Sequence, residues 1–453
     1  MNDTRRNLFC VVSFYLGLAA LPLSAASPSG TEGGMILSLD DAVLRALENN
    51  LTLKKDLIDL SSAEYAADRL WSEIFPAISA SAGASFSSPL FTGDGFDPDG
   101  AGQFSLGLGI SLGFNAGIPY AMKNIRLAYQ TKMLNYEDAR NQLEIQTTKD
   151  FYSLLAERDN LVYLTDIYNL AERQLARNQT AFNNGIVGEL TVMQSRLSLE
   201  NARYNLSAAN LAYTSRVGEL LAALGIDQDT QAVLEGKIEI TRIDADAEEL
   251  IRNYLPQRPD IVSRRQEIER LETEEKQITL SARGPSLNLS TQWTGRNGGQ
   301  SADTFTDSLS GTATVSIPID PWIPGTSKSQ SVQNAKLAVD KAKLDLKIAE
   351  DSAKTQIRSL VSNLRNSWDS IEIARFSQRV AERSYELTEQ GFRNGTVESL
   401  TLEDARNNLA NARQRLLQSE LAYQTMILDL SAALNINWKD LNKMIPGESR
   451  ESR

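Results

Sequence analysis

The chain has 453 residues, 42% of them hydrophobic, so it is long and apolar enough to fold into two or three ordinary domains. Its 58 acidic and 46 basic residues give a net charge of −12, which argues against nucleic acid as a main partner because phosphates select basic surfaces. Histidine is absent and Cys10 is the one cysteine, which excludes Cys–His and Ser–His–Asp catalysis, haem ligation and cysteine- or histidine-based zinc sites.

Residues 1–26 have the pattern of a secretory signal peptide. A basic start precedes an apolar run over 8–23, and small residues follow, with cleavage expected near Ala25 or Ala26. A short transmembrane anchor is the alternative, although it needs a longer apolar span. No later stretch approaches roughly 18 consecutive apolar residues, so any membrane crossing would be made by β-strands.

Residues 27–236 form the first of two predicted structural repeats. A helix of about 35 residues comes first, and two strands follow near 77–88 and 104–115. In the second strand every other residue from Phe104 to Phe114 is large and apolar, whereas glycine, serine or asparagine lie between them. This alternation predicts a strand with one apolar face and one small, polar face.

A very long helix over 120–182 comes next, because neither Gly nor Pro occurs between Ala121 and Asn184. At 1.5 Å per residue it would extend about 95 Å, so it needs partners along its whole length. Apolar residues at spacings of three and four predict coiled-coil packing along one seam. The seam residues are Phe151, Leu154, Leu161, Leu164, Tyr168, Ala171 and Leu175.

A shorter helix over 189–225 follows a glycine-containing break at 184–188. Small residues on its predicted seam would let another helix approach closely. This seam consists of Leu190, Met193, Leu197, Tyr204, Ala208, Leu211, Gly218 and Ala222.

The second repeat, residues 237–453, matches the first at an offset of 210 positions. The segment AFNNGIVGELTVMQSRLSLENARYNL from Ala181 resembles GFRNGTVESLTLEDARNNLANARQRL from Gly391, and duplication is the simplest explanation. The predicted elements are a helix over 247–282, strands near 286–294 and 309–317, a long helix over 326–392, a helix over 399–434 and a C-terminal tail.

Each of the four strands has about ten residues, the length that a tilted strand needs to cross a bilayer. The polar, glycine-rich loops over 91–100 and 295–304 would face outside. An ordinary sandwich sheet with one solvated face would show the same alternation. Four strands cannot close a membrane barrel, and unpaired edges cannot lie in lipid, so the missing strands would come from other subunits. Two chains would supply eight strands, whereas three would supply twelve and leave room for a channel, which we prefer.

These features resemble the outer membrane efflux protein family, of which TolC is the best-known member, over essentially the whole mature chain. The most specific shared elements are the duplicated architecture and the two helix breaks at 184–188 and 394–397. The resemblance implies a mainly α fold with β-strands, in which a homotrimer builds a shared twelve-stranded barrel in the outer membrane and a helical tunnel in the periplasm. It also implies contact with outer-membrane lipid and a role as the exit duct of a tripartite efflux or type I secretion system, reached by an inner-membrane transporter through a periplasmic adaptor.

The resemblance places both breaks at the periplasmic tips of helical hairpins, where the adaptor docks. The tip residues are Gly185, Ile186, Val187, Gly188, Gly395, Thr396 and Val397. The two glycines that follow asparagine, Gly185 and Gly395, would also cap helices in left-handed conformations. The second tip has Glu398 where the usual motif has glycine, so its adaptor contacts are expected to differ.

The resemblance further implies a periplasmic gate made of aspartate rings, which threefold symmetry would turn into a cation-binding constriction. Asp404 stands where one ring would lie, with Glu403 beside it and Thr401 at the neighbouring acidic position. A solvated helix face explains the same residues. A TolC-type latch uses a tyrosine, an arginine and an aspartate. This chain has other residues at those three positions, so we do not expect that latch. The residues at these positions are Phe392, Val397 and Thr191.

Two other classes of protein fit this pattern less well. A periplasm-spanning or surface coiled-coil protein without transport activity explains the helices but not four matched amphipathic strands. A carboxylate-based hydrolase is disfavoured because the acidic residues lie on predicted exposed helix faces and not in pocket-forming turns. We therefore expect no enzymatic activity, no cofactor and no bound metal.

Overall fold

The structure is a computed structural model that describes residues 35–87, 101–238, 240–298, 305–439 and 441. The predicted signal peptide, the loop over 91–100 and the C-terminal tail after residue 441 lie outside the described residues. The helices are α1 (Leu39–Asn49), α2 (Leu51–Asp68), α3 (Ile118–Asn183), α4 (Glu189–Ala223), α5 (Ala247–Tyr254), α6 (Pro259–Arg283), α7 (Ser327–Arg393) and α8 (Ser399–Leu434). The strands are β1 (Met35–Leu37), β2 (Ala77–Ser87), β3 (Ala101–Asn115), β4 (Ala232–Leu234), β5 (Ser286–Gly298) and β6 (Thr306–Ser316).

Helices α3 and α7, with 66 and 67 residues, are the two longest elements. Each would extend about 100 Å at the standard rise. Helix α4 packs along α3 and α8 packs along α7, so the chain forms two long hairpins, which meet where α8 contacts α3. Helices α1, α2 and α6 pack against α3, and α6 also contacts α7. None of the described helices combines the length and the apolarity needed to cross a bilayer.

Two apolar cores lie at equivalent positions of the two repeats. Phe151 and Leu154 on α3 are buried in the first core, and Val361 and Leu364, 210 positions later on α7, are buried in the second. The three-residue strands β1 and β4 pair in parallel beside the first core, which buries Leu37 and Leu234. The second core buries Tyr423 completely. Its hydroxyl donates to the carbonyl of Thr241 (3.1 Å) and accepts from the N–H of Ile243 (2.9 Å).

The four longer strands form one antiparallel sheet in the order β2-β3-β5-β6. The register places the large apolar residues of all strands on one face, and small or polar residues on the other. One cross-strand row on the apolar face is Ala80, Leu108, Trp293 and Leu309, and the next row, on the opposite face, is Ser81, Gly107, Thr294 and Ser308. Strands β2 and β6 are the edges of this sheet and have no further partner strand in the described part of the chain.

The structure corrects three of the predicted elements. The first helix, predicted to have about 35 residues, is divided into α1 and α2 at Asn50, whose side chain accepts hydrogen bonds from the N–H groups of Thr52 and Leu53 and starts α2. The single helix predicted over 247–282 is divided into α5 and α6 by a 3-10 turn at Leu255–Gln257, because Pro256 lacks a backbone donor and Pro259 starts the next helix. The predicted loop from residue 295 begins later, since residues 295–298 continue β5 and pair with β3.

The predicted seam of α4 is also wrong within the single chain. The residues of α4 that are buried against α3 are Ser195, Ala202, Val217, Leu220 and Leu221. The larger members of the predicted seam, from Leu190 to Leu211, lie on another face of the helix and are exposed. Helix α4 therefore has two apolar faces, and this chain covers one of them.

Candidate functional site at the hairpin tips

The two hairpin tips have the same backbone geometry. In the first tip, the N–H of Gly185 donates to the carbonyl of Phe182 (2.8 Å), and the N–H of Ile186 donates to the carbonyl of Ala181 (2.8 Å). The second tip forms both bonds 210 positions later, at 3.0 and 2.9 Å. Gly185 and Gly395 both have φ 72°, so each glycine caps its helix in the left-handed conformation, as the sequence predicts.

The side chains of the two tips differ in polarity. Ile186 and Leu190 make the first tip apolar, since both are strongly exposed, whereas Thr396 occupies the position of Ile186 in the second tip. Val397 is half-buried against Gly391, where a Cβ atom would lie 2.6 Å from the valine Cγ2. The second tip is thus more polar than the first, and glycine at position 391 leaves room for Val397.

The three predicted gate residues do not converge in the single chain. Thr401 and Asp404 lie three residues apart on one exposed face of α8. Glu403, which is rotated by about 100° from Asp404 around the helix axis, is half-buried and lies 3.8 Å from the guanidinium of Arg406. Asp404 and Thr401 are therefore available to a common site built from several chains, whereas Glu403 contacts its own chain.

Arg406 is the main residue that the sequence analysis missed. Its Nη2 atom donates to the hydroxyl of Ser198 on α4 at 2.8 Å, and its side chain is 14% exposed. Its Nε atom is buried and has no hydrogen-bond partner. The sequence gives no clear signal for this contact, because Arg196 occupies the equivalent position of the first repeat and forms no such bond among the described residues.

A second polar contact fixes the first hairpin. Nδ2 of Asn178 on α3 donates to the hydroxyl of Ser195 on α4 at 2.6 Å, and both side chains are buried. Because buried polar groups are costly when unpaired, this bond favours one register of α3 against α4.

A polar cavity of about 530 Å³ separates the two hairpins beside Arg406. Amide side chains from three helices dominate its lining, so it is polar and large enough to hold water. These residues are Asn160 on α3, Asn201 and Asn205 on α4, and Asn407, Asn411 and Gln414 on α8. Burial raises the pKa of the neighbouring Tyr163, so this phenol stays protonated through the neutral range. Among the residues described, no cluster of three or more acidic side chains could hold a metal ion.

Comparisons with known proteins agree with this architecture. A family model described as outer membrane efflux protein matches residues 42–226 and 250–435, which is most of the chain and both repeats. A search of curated proteins found no match.

Several solved structures are similar over nearly the whole chain. The Campylobacter jejuni CmeC outer membrane channel is 20% identical, with 90% of this chain and 88% of that chain covered and a TM-score of 0.71. CusC is 16% identical, with 88% and 92% covered and a TM-score of 0.70. The Vibrio cholerae outer membrane protein VceC is 16% identical, with 88% and 96% covered and a TM-score of 0.66.

Identities this low show a common fold, and they confirm the predicted fold class of a mainly helical chain with strands. The family match adds the location and the general activity, since members of this family are channels and not enzymes. The chain therefore belongs to the outer membrane efflux protein family, as an outer-membrane efflux channel whose helical part lies in the periplasm.

Proposed function

We propose that this chain is the exit duct of a tripartite efflux or type I secretion system and that it acts as a homotrimer. In this assembly each chain supplies its four-stranded sheet to a shared twelve-stranded barrel, and its two hairpins to a periplasmic tunnel. An inner-membrane transporter and a periplasmic adaptor deliver the cargo to the tunnel mouth.

The observation that carries this proposal is the sheet of the single chain. It has an apolar face, a small and polar face, and two open edges, β2 and β6. Leu108 and Leu309 are strongly exposed on the apolar face, which suits lipid, while serine, glycine and threonine would line the lumen. Open edges are unstable in a bilayer, so this sheet needs copies of itself on both sides.

The solved relatives support the proposal that this chain forms a channel. CmeC is an outer membrane channel, and CusC forms a transmembrane channel. We extend that property to this chain because the fold matches cover 88–90% of it.

The same trimeric assembly gives the hairpin tips and the gate residues their proposed roles. We assign adaptor docking to the two tips, with Ile186 and Val187 as the apolar contacts of the first and Thr396 and Val397 as the contacts of the second. Asp404 and Thr401 are exposed on α8, where threefold symmetry would form a ring from three copies of each.

A deletion strain tests the proposed function. Loss of the chain should increase sensitivity to toxic small molecules if it serves efflux, or abolish export of a secreted protein if it serves type I secretion. A strain that is unchanged in both assays, with second homologues also deleted, would contradict the proposal and favour a structural coiled-coil protein.

A further inference from the structure

The connection from the last strand to the last long helix pair is longer than its counterpart in the first repeat. Residues 116–117 connect β3 to α3, whereas residues 317–326 connect β6 to α7. The longer connection is ordered, because the N–H of Trp322 donates to the carbonyl of Ile319 at 3.0 Å and Pro321 is buried where the segment contacts α6 and α7. The second repeat therefore adds a folded segment at the helical end of the sheet.

This added segment exposes large apolar side chains. Four of them are 54–73% exposed: Ile317, Ile319, Trp322 and Ile323. Ile317 continues the alternation of β6, so it lies on the same side as Leu309 and Val315, on the apolar face of the sheet. The added segment thus extends the surface that faces lipid in the proposed barrel toward the periplasmic helices.

Arg283, in the last turn of α6, packs against the added segment. Its guanidinium carbon lies 4.9 Å from the centre of the Trp322 ring, which is the geometry of a cation–π contact. Its Nε atom is buried without a hydrogen-bond partner, and the side chain forms no hydrogen bond or ion pair with any described residue. The carboxylate of the segment, Asp320, pairs with Lys328 at 3.4 Å. A positive charge at the border of an apolar surface therefore lacks an anion within the described part of the chain.

We propose that Arg283 and Trp322 form a binding site for the phosphate headgroup of a phospholipid in the periplasmic leaflet of the outer membrane. Arg283 donates N–H bonds to the phosphate oxygens, and Trp322 holds the guanidinium at the level of the headgroups. Ile317 and Ile323 contact the acyl chains. This inference rests on the barrel of the proposed function and adds the lipid that the periplasmic rim of that barrel binds.

A phospholipid matches both parts of the site. Its phosphate supplies the anion that Arg283 lacks, and a planar guanidinium pairs well with two phosphate oxygens. Its acyl chains cover the exposed isoleucines, and the amphipathic ring of tryptophan is typical of the membrane–water interface. Because the apolar face of the sheet continues into the added segment, a lipid beside β6 reaches Arg283 with its headgroup. Free phosphate would satisfy Arg283 and leave the apolar side chains in water.

A neighbouring copy is the competing occupant, because β6 is an open edge of the sheet. In a closed barrel, β2 of the next copy would lie beside β6 and bring the turn before β2 close to the added segment. This turn carries the exposed Glu73, which could pair with Arg283 in place of a lipid phosphate. Glu73→Gln therefore distinguishes a protein partner from a lipid partner.

Lipid titration tests the site. The delipidated full chain in a maltoside detergent is titrated with dioleoyl phosphatidylglycerol, and the bound fraction is followed by native mass spectrometry. Arg283→Gln should weaken binding about tenfold, since a bond to a charged group is lost. Dioleoylglycerol, which has the same chains without phosphate, and inorganic phosphate should each bind the wild type more weakly by a similar factor. Arg264→Gln, at an exposed position of the same helix, is the matched control and should bind as the wild type does.

Tryptophan fluorescence provides a second measurement that keeps Arg283 in place. In vesicles of phosphatidylglycerol with brominated acyl chains, the amount of fluorescence quenched should fall in Trp322→Phe. It should be unchanged in Trp368→Phe, because Trp368 packs against the second core on α7.

Three results would overturn the inference. The first is an equal affinity for phosphatidylglycerol in the wild type and Arg283→Gln, together with equal quenching in Trp322→Phe. The second is inorganic phosphate that binds as tightly as phosphatidylglycerol, since the site would then recognise a free anion. The third is a lower trimeric fraction in both Glu73→Gln and Arg283→Gln with no change in lipid affinity, which would assign the added segment to a second copy.

Conductance separates this inference from the proposed function. Pores formed by a protein without this lipid preference would overturn the lipid site and leave the channel proposal standing. A protein that binds phosphatidylglycerol through Arg283 and opens no pores would overturn the channel proposal alone.

Discussion

Arg406 on α8 donates through Nη2 to the hydroxyl of Ser198 on α4 at 2.8 Å, and this bond joins the two hairpins of one chain a few helical turns above their tips. The guanidinium is nearly buried, and its Nε atom has no partner. It therefore depends strongly on the bonds that it does make.

Ser198→Ala removes this bond and leaves a nearly buried charge with one partner fewer. A hydrogen bond to a charged group contributes about 1.5–3 kcal/mol, so the mutant protein should unfold at a lower denaturant concentration than the wild type. The hairpins should also separate more easily, which would raise the open probability of single channels. Ser207→Ala, at an exposed position of the same helix, is the control. Equal stability and equal open probability in both mutants would show that the bond does not hold the hairpins.

The tip glycines provide a second prediction, on the backbone. Gly185→Ala places a Cβ in open space but at φ 72°, so the cost is backbone strain of about 1–2 kcal/mol with no steric clash. Hydrogen exchange should become faster at the end of α3. Gly188→Ala has open space and φ −80°, so exchange there should stay unchanged. If both mutants exchange alike, the left-handed cap is not the reason for glycine at 185.

Tyr423→Phe tests the second core. The mutation strands the buried N–H of Ile243, at a cost of about 1–3 kcal/mol, and also removes the bond to the carbonyl of the exposed Thr241. Unfolding by denaturant should show a lower free energy of unfolding for the mutant than for the wild type. Tyr213→Phe, at the equivalent and less buried position, should cost less. A larger effect at Tyr213 would contradict this account of the core.

Asp138→Asn tests a half-buried carboxyl on α3. Burial and, to a smaller extent, the charge of Asp260 raise the pKa of Asp138, while a hydrogen bond from Gln142 opposes the shift. Because the folded pKa lies above the unfolded one, the protonated form stabilises the fold, and this contribution is lost as pH rises from about 4 through the folded pKa. The Tm of the mutant minus the Tm of the wild type should therefore increase from pH 4 to pH 7, because only the wild type has a carboxyl that ionises. A difference that decreases over this range would contradict the assigned shift.

Asp404→Asn tests the proposed gate. Removing three charges from a ring should reduce the cation preference of the channel, measured as a smaller reversal potential in a salt gradient. Glu403→Gln should have a smaller effect, because Glu403 lies beside Arg406 in its own chain. If the two mutants shift the reversal potential equally, Asp404 is not the ring.

The long elements could be predicted from sequence because local signals determine them. Helices α3 and α7 contain almost no breaking residue, both end at a glycine cap, and residues of the predicted α3 seam such as Phe151 and Leu154 are buried. The four longer strands could be predicted because large apolar residues alternate with small or polar residues along them. The pair β1 and β4 was missed because three apolar residues, such as Met35–Leu37, are too short to show a period.

The arrangement of the site depends on contacts between distant segments, which periodicity does not reveal. Arg406 looks like part of a solvated helix face in the sequence, and its partner Ser198 lies in the other repeat. The predicted seam of α4 is exposed in the single chain for the same reason, since a period identifies a face but not its partner.

Conductance measured across planar lipid bilayers is the most direct test of the channel itself. The purified protein should insert as a trimer and open discrete ion-conducting pores, whose open probability increases in Ser198→Ala. A trimer that opens no pores at any applied voltage would contradict the account.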